Sequence, residues 1–511
     1  MKPTLVGLSW LLGLIGLIGP AESPVHRAEP GGVMSEAYWK LWNPEVQSKI
    51  DRDIEQNRKA NAVLTLAGVP AGTEVKVEQL SHDFIFGSHI FNFNQLGTPE
   101  RNRKYKKLYG TLFNSATIAF YWKTFEMEPG KLRFKAEERD TEAYWNSVKE
   151  PKKEPHWRRP ATDPVVEFCE SKGIRLHGHT VIWGNRKWQH PDWIFERFCP
   201  ADEKERLKKL GNDGLKKLTP AQIAELAPTY AKEMKHLFEN RAAELANHYG
   251  GRLSSWDVVN ESATDYHGNC LTGDYVCKSS YGLMPGDYAY HALQTADRLF
   301  PKSVQLNIND YANDANYANQ VKDLLAHGCR IDIMGSQMHL FNPQQCLDVA
   351  AGKAVETPQQ VWKTMETIGK AGLPIHLSEI TITSPGNDAR GREIQAVIAR
   401  NLYRLWFSVK PMMGITWWNV VDDCGAPGEP MISGLFTRDM EPKPSFFALD
   451  KLINHEWKTR LTVKADEGGT VKFRGFKGRY RVTWTDASGV TKNAEFKLSN
   501  DGDGFGKATF Y

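Results

Sequence analysis

Apolar residues in the middle of the chain follow one recurring rhythm. From about residue 84 to 455, stretches with apolar positions three and four apart end on a glycine and give way to short, nearly unbroken apolar runs. "VVEFCESKG" leads into "IRLHGHTVIW", "VKDLLAHG" into "CRIDIMGSQMHL", and "VWKTMETIGKAG" into "LPIHLSEIT". Gly173, Gly328 and Gly372 stand where a helix C-cap needs a left-handed residue. The apolar runs are 84–88, 115–120, 174–183, 254–261, 304–310, 331–339, 375–381 and 414–422. Eight strands separated by helices predict an α/β fold closed as a (β/α)8 barrel. An open, doubly wound sheet is disfavoured because no glycine-rich phosphate turn follows any run.

The two ends alternate with a period of two. Residues 61–84 and 459–498 place Gly and Asp at turns between alternating apolar and polar positions, which predicts antiparallel β structure. Because they flank the barrel, they are expected to pair into one small accessory module. The expected organisation is a leader at 1–23, a linker with accessory strands at 24–83, the barrel at 84–455 and further accessory strands at 456–511. One long helix is expected from Thr219 to about Tyr249, with Thr219 and Gln222 at capping-box spacing and Pro220 at the first helical position. "KEPKKEPHWRRP" and "ADEKERLKK" read as solvated loop or helix faces.

Charge and composition narrow the partners. The chain of 511 residues carries 65 basic and 61 acidic side chains, a balance that gives no reason to expect nucleic acid. Its 16 tryptophans, with no basic stripe beside them, suit stacking on sugars. The N-terminus "MKPTLVGLSWLLGLIGLIGPAES" has Lys2, an apolar run from Leu5 to Ile18 and small residues at Ala21 and Ser23, the pattern of a secretory signal. A secreted or periplasmic monomer with no membrane segment after signal removal is expected. Among seven cysteines, Cys270 and Cys277 bracket the short loop "CLTGDYVC" and form a candidate disulfide, while the others show no metal-ligand spacing.

A barrel gathers the C-terminal tips of its strands around one mouth. Reading the tips in order gives Lys123 after the second strand, His179 and Trp183 on the third, and Asn260 and Glu261 on the fourth. The fifth gives Tyr311, just past Asn309 and Asp310; the sixth gives Gln337 and His339, the seventh Glu379, and the eighth Trp417 and Trp418. Two carboxylates on different strands suit hydrolysis of an acetal, one protonated to donate to the leaving oxygen and one ionised to meet the developing oxocarbenium ion. Their mutual repulsion helps keep one neutral.

"HTVIW" on the third strand, "WDVVNE" on the fourth, "GSQMH" on the sixth and a Glu closing the seventh resemble glycoside hydrolase family 10, the endo-β-1,4-xylanase family. That resemblance implies a retaining mechanism on a polysaccharide of xylan type, with no cofactor or metal. It makes Glu261 the acid/base and Glu379 the nucleophile. By the same resemblance Asn260 meets the sugar 2-hydroxyl, Lys123, His179 and Gln337 line the adjoining subsite, His339 holds the nucleophile's surroundings, and Trp418 forms an aromatic wall. The C-terminal "FRGFKGRYRVTW" resembles the β tail of plant-type members.

Several positions depart from the family pattern. Ala119 and Phe120 stand where the family has Glu and Asn, Gly184 where it has His, Thr381 where it has the Asp that partners His339, and Asn419 where it has Gly. These changes touch sugar contacts and leave both carboxylates in place. They suggest a rebuilt glycone side, with Phe120 facing the sugar. Two rival readings are a non-catalytic carbohydrate-binding protein on the same barrel, and a metal-dependent hydrolase using His177, His179 and His339.

Overall fold

A computed structural model describes residues 32–511 apart from 216, 219–221, 223–224, 272–275, 279–282, 500–504, 508 and 511. The proposed leader lies outside the described residues, and among those described no helix is long and apolar enough to cross a membrane.

Two strands come first, β1 (Lys59–Thr65) and β2 (Glu74–His82). The barrel is built from β3 (Ile85–His89), β4 (Ser115–Ala119), β5 (Arg175–Trp183) and β6 (Ser255–Asn260). A hairpin, β7 (Val276–Lys278) and β8 (Leu283–Pro285), then interrupts it. The remaining barrel strands are β9 (Gln305–Asp310), β10 (Ile333–Leu340), β11 (Ile375–Ile382) and β12 (Met412–Trp417). Each pairs in parallel with its neighbour, and β12 closes on β3. All eight expected strands are present, and their near-continuous burial reflects contact with side chains inside the barrel and with helices outside it. Gly173, Gly328 and Gly372 take φ of 64°, 81° and 81° and turn helices toward β5, β10 and β11.

The terminal strands form one module, as their alternation predicts. Strand β14 (Thr470–Phe476) runs antiparallel to β1, while β13 (Arg460–Lys464) and β15 (Gly478–Thr485) flank β2. Strand β16 (Thr491–Leu498) extends that sheet, and the short β17 (Phe505–Lys507) and β18 (Thr509–Phe510) complete the pair. Leu64, Val75, Val77, Val471, Phe473, Tyr480 and Phe496 bury a separate small core. Phe476 of β14 meets the barrel at Phe407, 6.1 Å away, beside Trp457, which stacks on Phe407 at 4.0 Å and Phe86 at 5.8 Å where the chain leaves the barrel.

The structure corrects three expectations here. The segment expected as a linker contains two helices, Glu36–Leu41 and Pro44–Arg58, because Asn43 caps the second, Pro44 starts it, and Val46, Ile50 and Ile54 give it one apolar face. The long helix begins at Pro228 rather than Thr219; Thr219 and Pro220 lie outside the described residues. Cys270 carries a free thiol and is not disulfide-bonded, since its Sγ is turned to His327 Nδ1 at 3.5 Å; the side chain of Cys277 lies outside the described residues.

Candidate active site

The strand tips surround a cleft of about 610 Å³. Nine of the eleven site residues read from the sequence line it: His179, Trp183, Asn260, Glu261, Tyr311, Gln337, His339, Glu379 and Trp418. Lys123 and Trp417 do not.

Glu261 leaves a fully buried strand with φ of 54°, a conformation unusual for a residue with a side chain, and its N–H is held by Asn309 O at 2.7 Å. The carboxylate thereby enters the cleft and accepts two hydrogen bonds, from the Trp183 indole at 3.0 Å and the Gln337 amide at 3.2 Å. Burial, reinforced by the charge of Glu379, pushes its pKa up to about 7. Glu379 lies near the middle of β11, where pairing shifts register on both sides. Such irregularities re-aim side chains beside active sites. Its Oε1 accepts Asn309 Nδ2 at 2.9 Å, and its two oxygens lie 3.8 Å from His179 Nε2 and 3.6 Å from His339 Nε2.

Asn309 also donates to Asn260 Oδ1 at 2.8 Å, and Gln337 reaches the same oxygen at 3.4 Å. With that oxygen occupied, the Asn260 Nδ2 is the part of the amide left to meet a sugar hydroxyl. Behind His179 lies Asp257, paired with it in register and bonded to His179 Nδ1 at 2.8 Å and His177 Nε2 at 2.9 Å. Burial opposes the charged form of His179, but the bond to Asp257 and the charges of Glu379, Asp257 and Glu261 outweigh it and raise the imidazole above its ordinary value. Asp257 is buried too, yet His177 and His179 hold it below the carboxylate range. The arrangement places one carboxyl poised to carry a proton opposite one fixed by an amide and bordered by a proton-holding imidazole.

Residues 94–452 match the family model described as "Glycosyl hydrolase family 10". The chain belongs to this family. It is 24% identical over 345 residues to endo-1,4-beta-xylanase B of Thermotoga neapolitana, covering 65% of this chain and 85% of that one. It is also 24% identical over 323 residues to the anti-sigma-I factor RsgI6 of Acetivibrio thermocellus, covering 63% of this chain but only 34% of the relative. Among solved structures, xylanase 10B from Thermotoga petrophila RKU-1 in complex with xylobiose matches 73% of this chain and 95% of its own, at 19% identity and a TM-score of 0.47.

This family 10 chain departs from the sequence reading where side-chain direction decides. Lys123 pairs with Asp192 at 3.0 Å and lines an adjoining cavity instead of the cleft, because it projects from the short helix Trp122–Phe125 beyond the strand tip. Trp417 is fully buried, its indole donating to Asn419 O and Ser433 O, whereas its neighbour Trp418 faces the cleft. Phe120 packs against Trp256 and Tyr249 in the layer between strands and helices, so it cannot face a sugar. Ala119 and Tyr121, one position either side, pack with Trp418, and Tyr121 reaches the cleft. The alternation of a strand places them there. Thr381 supplies a hydroxyl to His339 Nδ1 at 2.9 Å in place of the expected carboxylate.

Sequence reading also passed over Arg158, Arg159, Trp188, Phe341 and Glu429 in the cleft wall. Glu429 accepts from the Trp418 indole at 3.1 Å and from Asn419 Nδ2 at 2.8 Å, and it lies 3.3 Å from Arg158. Burial would raise it, but the Arg158 charge and the bonds from the Ala426 N–H and the Asn419 amide hold it down to about 2. None of these five had a legible signal in the sequence; Asp257, also passed over, had one in its place beside "HGH" of the neighbouring strand. Its histidines are engaged with Asp257 and, through His177 Nδ1, with Ser255. Among the described residues the grouping with metal-ligand geometry is Cys270, Asp323 and His327, none of which lines the cleft.

Proposed function

We propose that this family 10 hydrolase cleaves β-1,4-linked xylan or a closely related cell-wall polysaccharide by double displacement, with retention at the anomeric carbon. Glu379 attacks the anomeric carbon while Glu261 gives its proton to the departing oxygen. Water then resolves the glycosyl-enzyme, with Glu261 taking the water's proton. The observation carrying this reading is the contrast between the two carboxyls: Glu261 is raised to about 7, so it holds a proton near neutrality, and Glu379 faces His179 and His339. The xylan assignment draws on the likeness to the endo-1,4-beta-xylanase of Thermotoga neapolitana, and export draws on the N-terminal charge and apolar pattern.

Glutamine variants test the roles. Glu379→Gln is expected to abolish turnover of every substrate. Glu261→Gln is expected to lower xylan hydrolysis by about 10²–10⁴-fold while sparing the first step on aryl β-xylosides with good leaving groups. An NMR time course should show the β-anomer first. Near-normal xylan hydrolysis by both variants, or an α-anomer appearing first, refutes the mechanism.

A further inference from the structure

The segment "KEPKKEPHWRRP" (149–160) was expected to be solvated, yet Trp157, Arg158 and Arg159 are buried. Arg158 takes φ of 61°, and Gln95 Oε1 holds its N–H at 2.7 Å, so the segment is fixed in a conformation that a side-chain-bearing residue seldom adopts. It forms one wall of a cavity of about 410 Å³ that adjoins the catalytic cleft and shares Arg158, Arg159 and Trp188 with it. That volume is within the roughly 300–1,000 Å³ range of small-molecule sites.

The cavity is rich in positive charge. Lys123, Arg158, Arg159 and Lys187 line it together with a single carboxylate, Asp192. Asp192 is taken by Lys123, and Glu429 from the cleft is taken by Arg158. Among the described residues no carboxylate pairs with Arg159 or Lys187. The Arg159 guanidinium lies over the Tyr121 ring at 3.7 Å and gives one hydrogen bond to a described acceptor, Arg158 O. Lys187 Nζ lies 4.6 Å from the Trp188 ring centre. A buried guanidinium with donors to spare is poorly compensated by protein and well matched by a carboxylate. Trp188 and Trp193 add flat apolar surface suited to a sugar ring.

We propose that this cavity binds a uronic acid branch of the sugar chain held in the cleft, with Arg159 and Lys187 meeting the branch carboxylate. The inference rests on the proposed carbohydrate substrate and specifies its decoration. It also assigns a use to a loop that has no part in the acid/base chemistry.

Binding of a uronic-acid-branched xylo-oligosaccharide to the Glu379→Gln protein, compared with the same compound after reduction of its carboxyl to a neutral alcohol, tests this at 0.15 M salt. The acid form is expected to bind about tenfold tighter or more. Lys187→Ala, at an exposed side chain, should cut that preference severalfold, and Arg159→Gln should bring it close to unity. Equal binding of the two forms while both still bind overturns this inference alone. So does a preference undiminished in both variants. Failure to bind any xylo-oligosaccharide overturns the carbohydrate reading and this inference with it.

Discussion

The indole of Trp183 donates to Glu261 Oε2 at 3.0 Å, joining the last residue of β5 to the first residue beyond β6. A donor to a carboxylate favours its ionised form. The Gln337 amide holds back the rise that burial and Glu379 impose on Glu261, and the Trp183 indole, a second donor to the same carboxylate, acts in the same direction. Trp183→Phe keeps an aromatic surface but deletes the donor. A net hydrogen bond of about 1 kcal/mol corresponds to roughly 0.7 of a pH unit. The basic limb of the kcat/KM profile should move upward by about that amount, and a limb that stays put would show that Trp183 does not tune Glu261.

Glu261 also links stability to pH. Its pKa is raised on folding from 4.5 to about 7, so the folded state binds the proton more tightly. That contribution is fully present below about 4.5 and is lost as pH rises through 7. Glu261→Gln removes the linkage. Its melting temperature should gain on the wild type between these limits, with a free-energy difference on the order of 1–3 kcal/mol by pH 8. Parallel melting curves across that range would contradict the shift.

Gly335 leaves room for the amide that holds Glu379. A Cβ there would lie 2.4 Å from Asn309 Oδ1, and Asn309 bonds Glu379, Asn260 and Ser378. Gly335→Ala should displace Asn309 and lower kcat on aryl β-xylosides by about tenfold or more, because small misplacements of reacting groups slow chemistry strongly. Gly328→Ala provides the contrast. It has φ of 81° and no atom within 4 Å of the added Cβ. It should cost roughly 1–2 kcal/mol of stability through backbone strain and leave kcat unchanged. Equal kcat losses in both would detach Gly335 from Glu379.

Deleting every residue after Trp457 removes the partners of β1 and β2 on their paired edges. Leu64, Val75 and Val77 would lose the core they share with Val471, Phe473 and Tyr480. Open apolar edges promote aggregation. The truncated protein should melt several degrees lower and lose solubility. Unchanged melting and solubility would make the tail an independent appendage.

Period and position along the chain determined a great deal. Eight apolar runs separated by helical periods specified the barrel, because burial on both faces of a strand leaves a local mark in sequence. Two-residue alternation at 61–84 and 459–498 likewise specified the β module whose strands lie far apart in the chain. Glu261 and Glu379 stood out in the sequence because each is a carboxylate in, or just past, a strand that is otherwise dry. Local pattern does not record which way a side chain turns after a strand ends, or which distant loop folds back. Tertiary structure alone brought Tyr121 rather than Phe120 to the cleft, sealed Trp417 in the core while turning Trp418 to the cleft, drew Lys123 to Asp192 and left Cys270 a free thiol. It also closed the 149–160 segment over the site, placing Arg159 on Tyr121. These outcomes depend on packing between segments remote in sequence, where the winning contact is set by the geometry of the assembled barrel and by no residue's immediate neighbours.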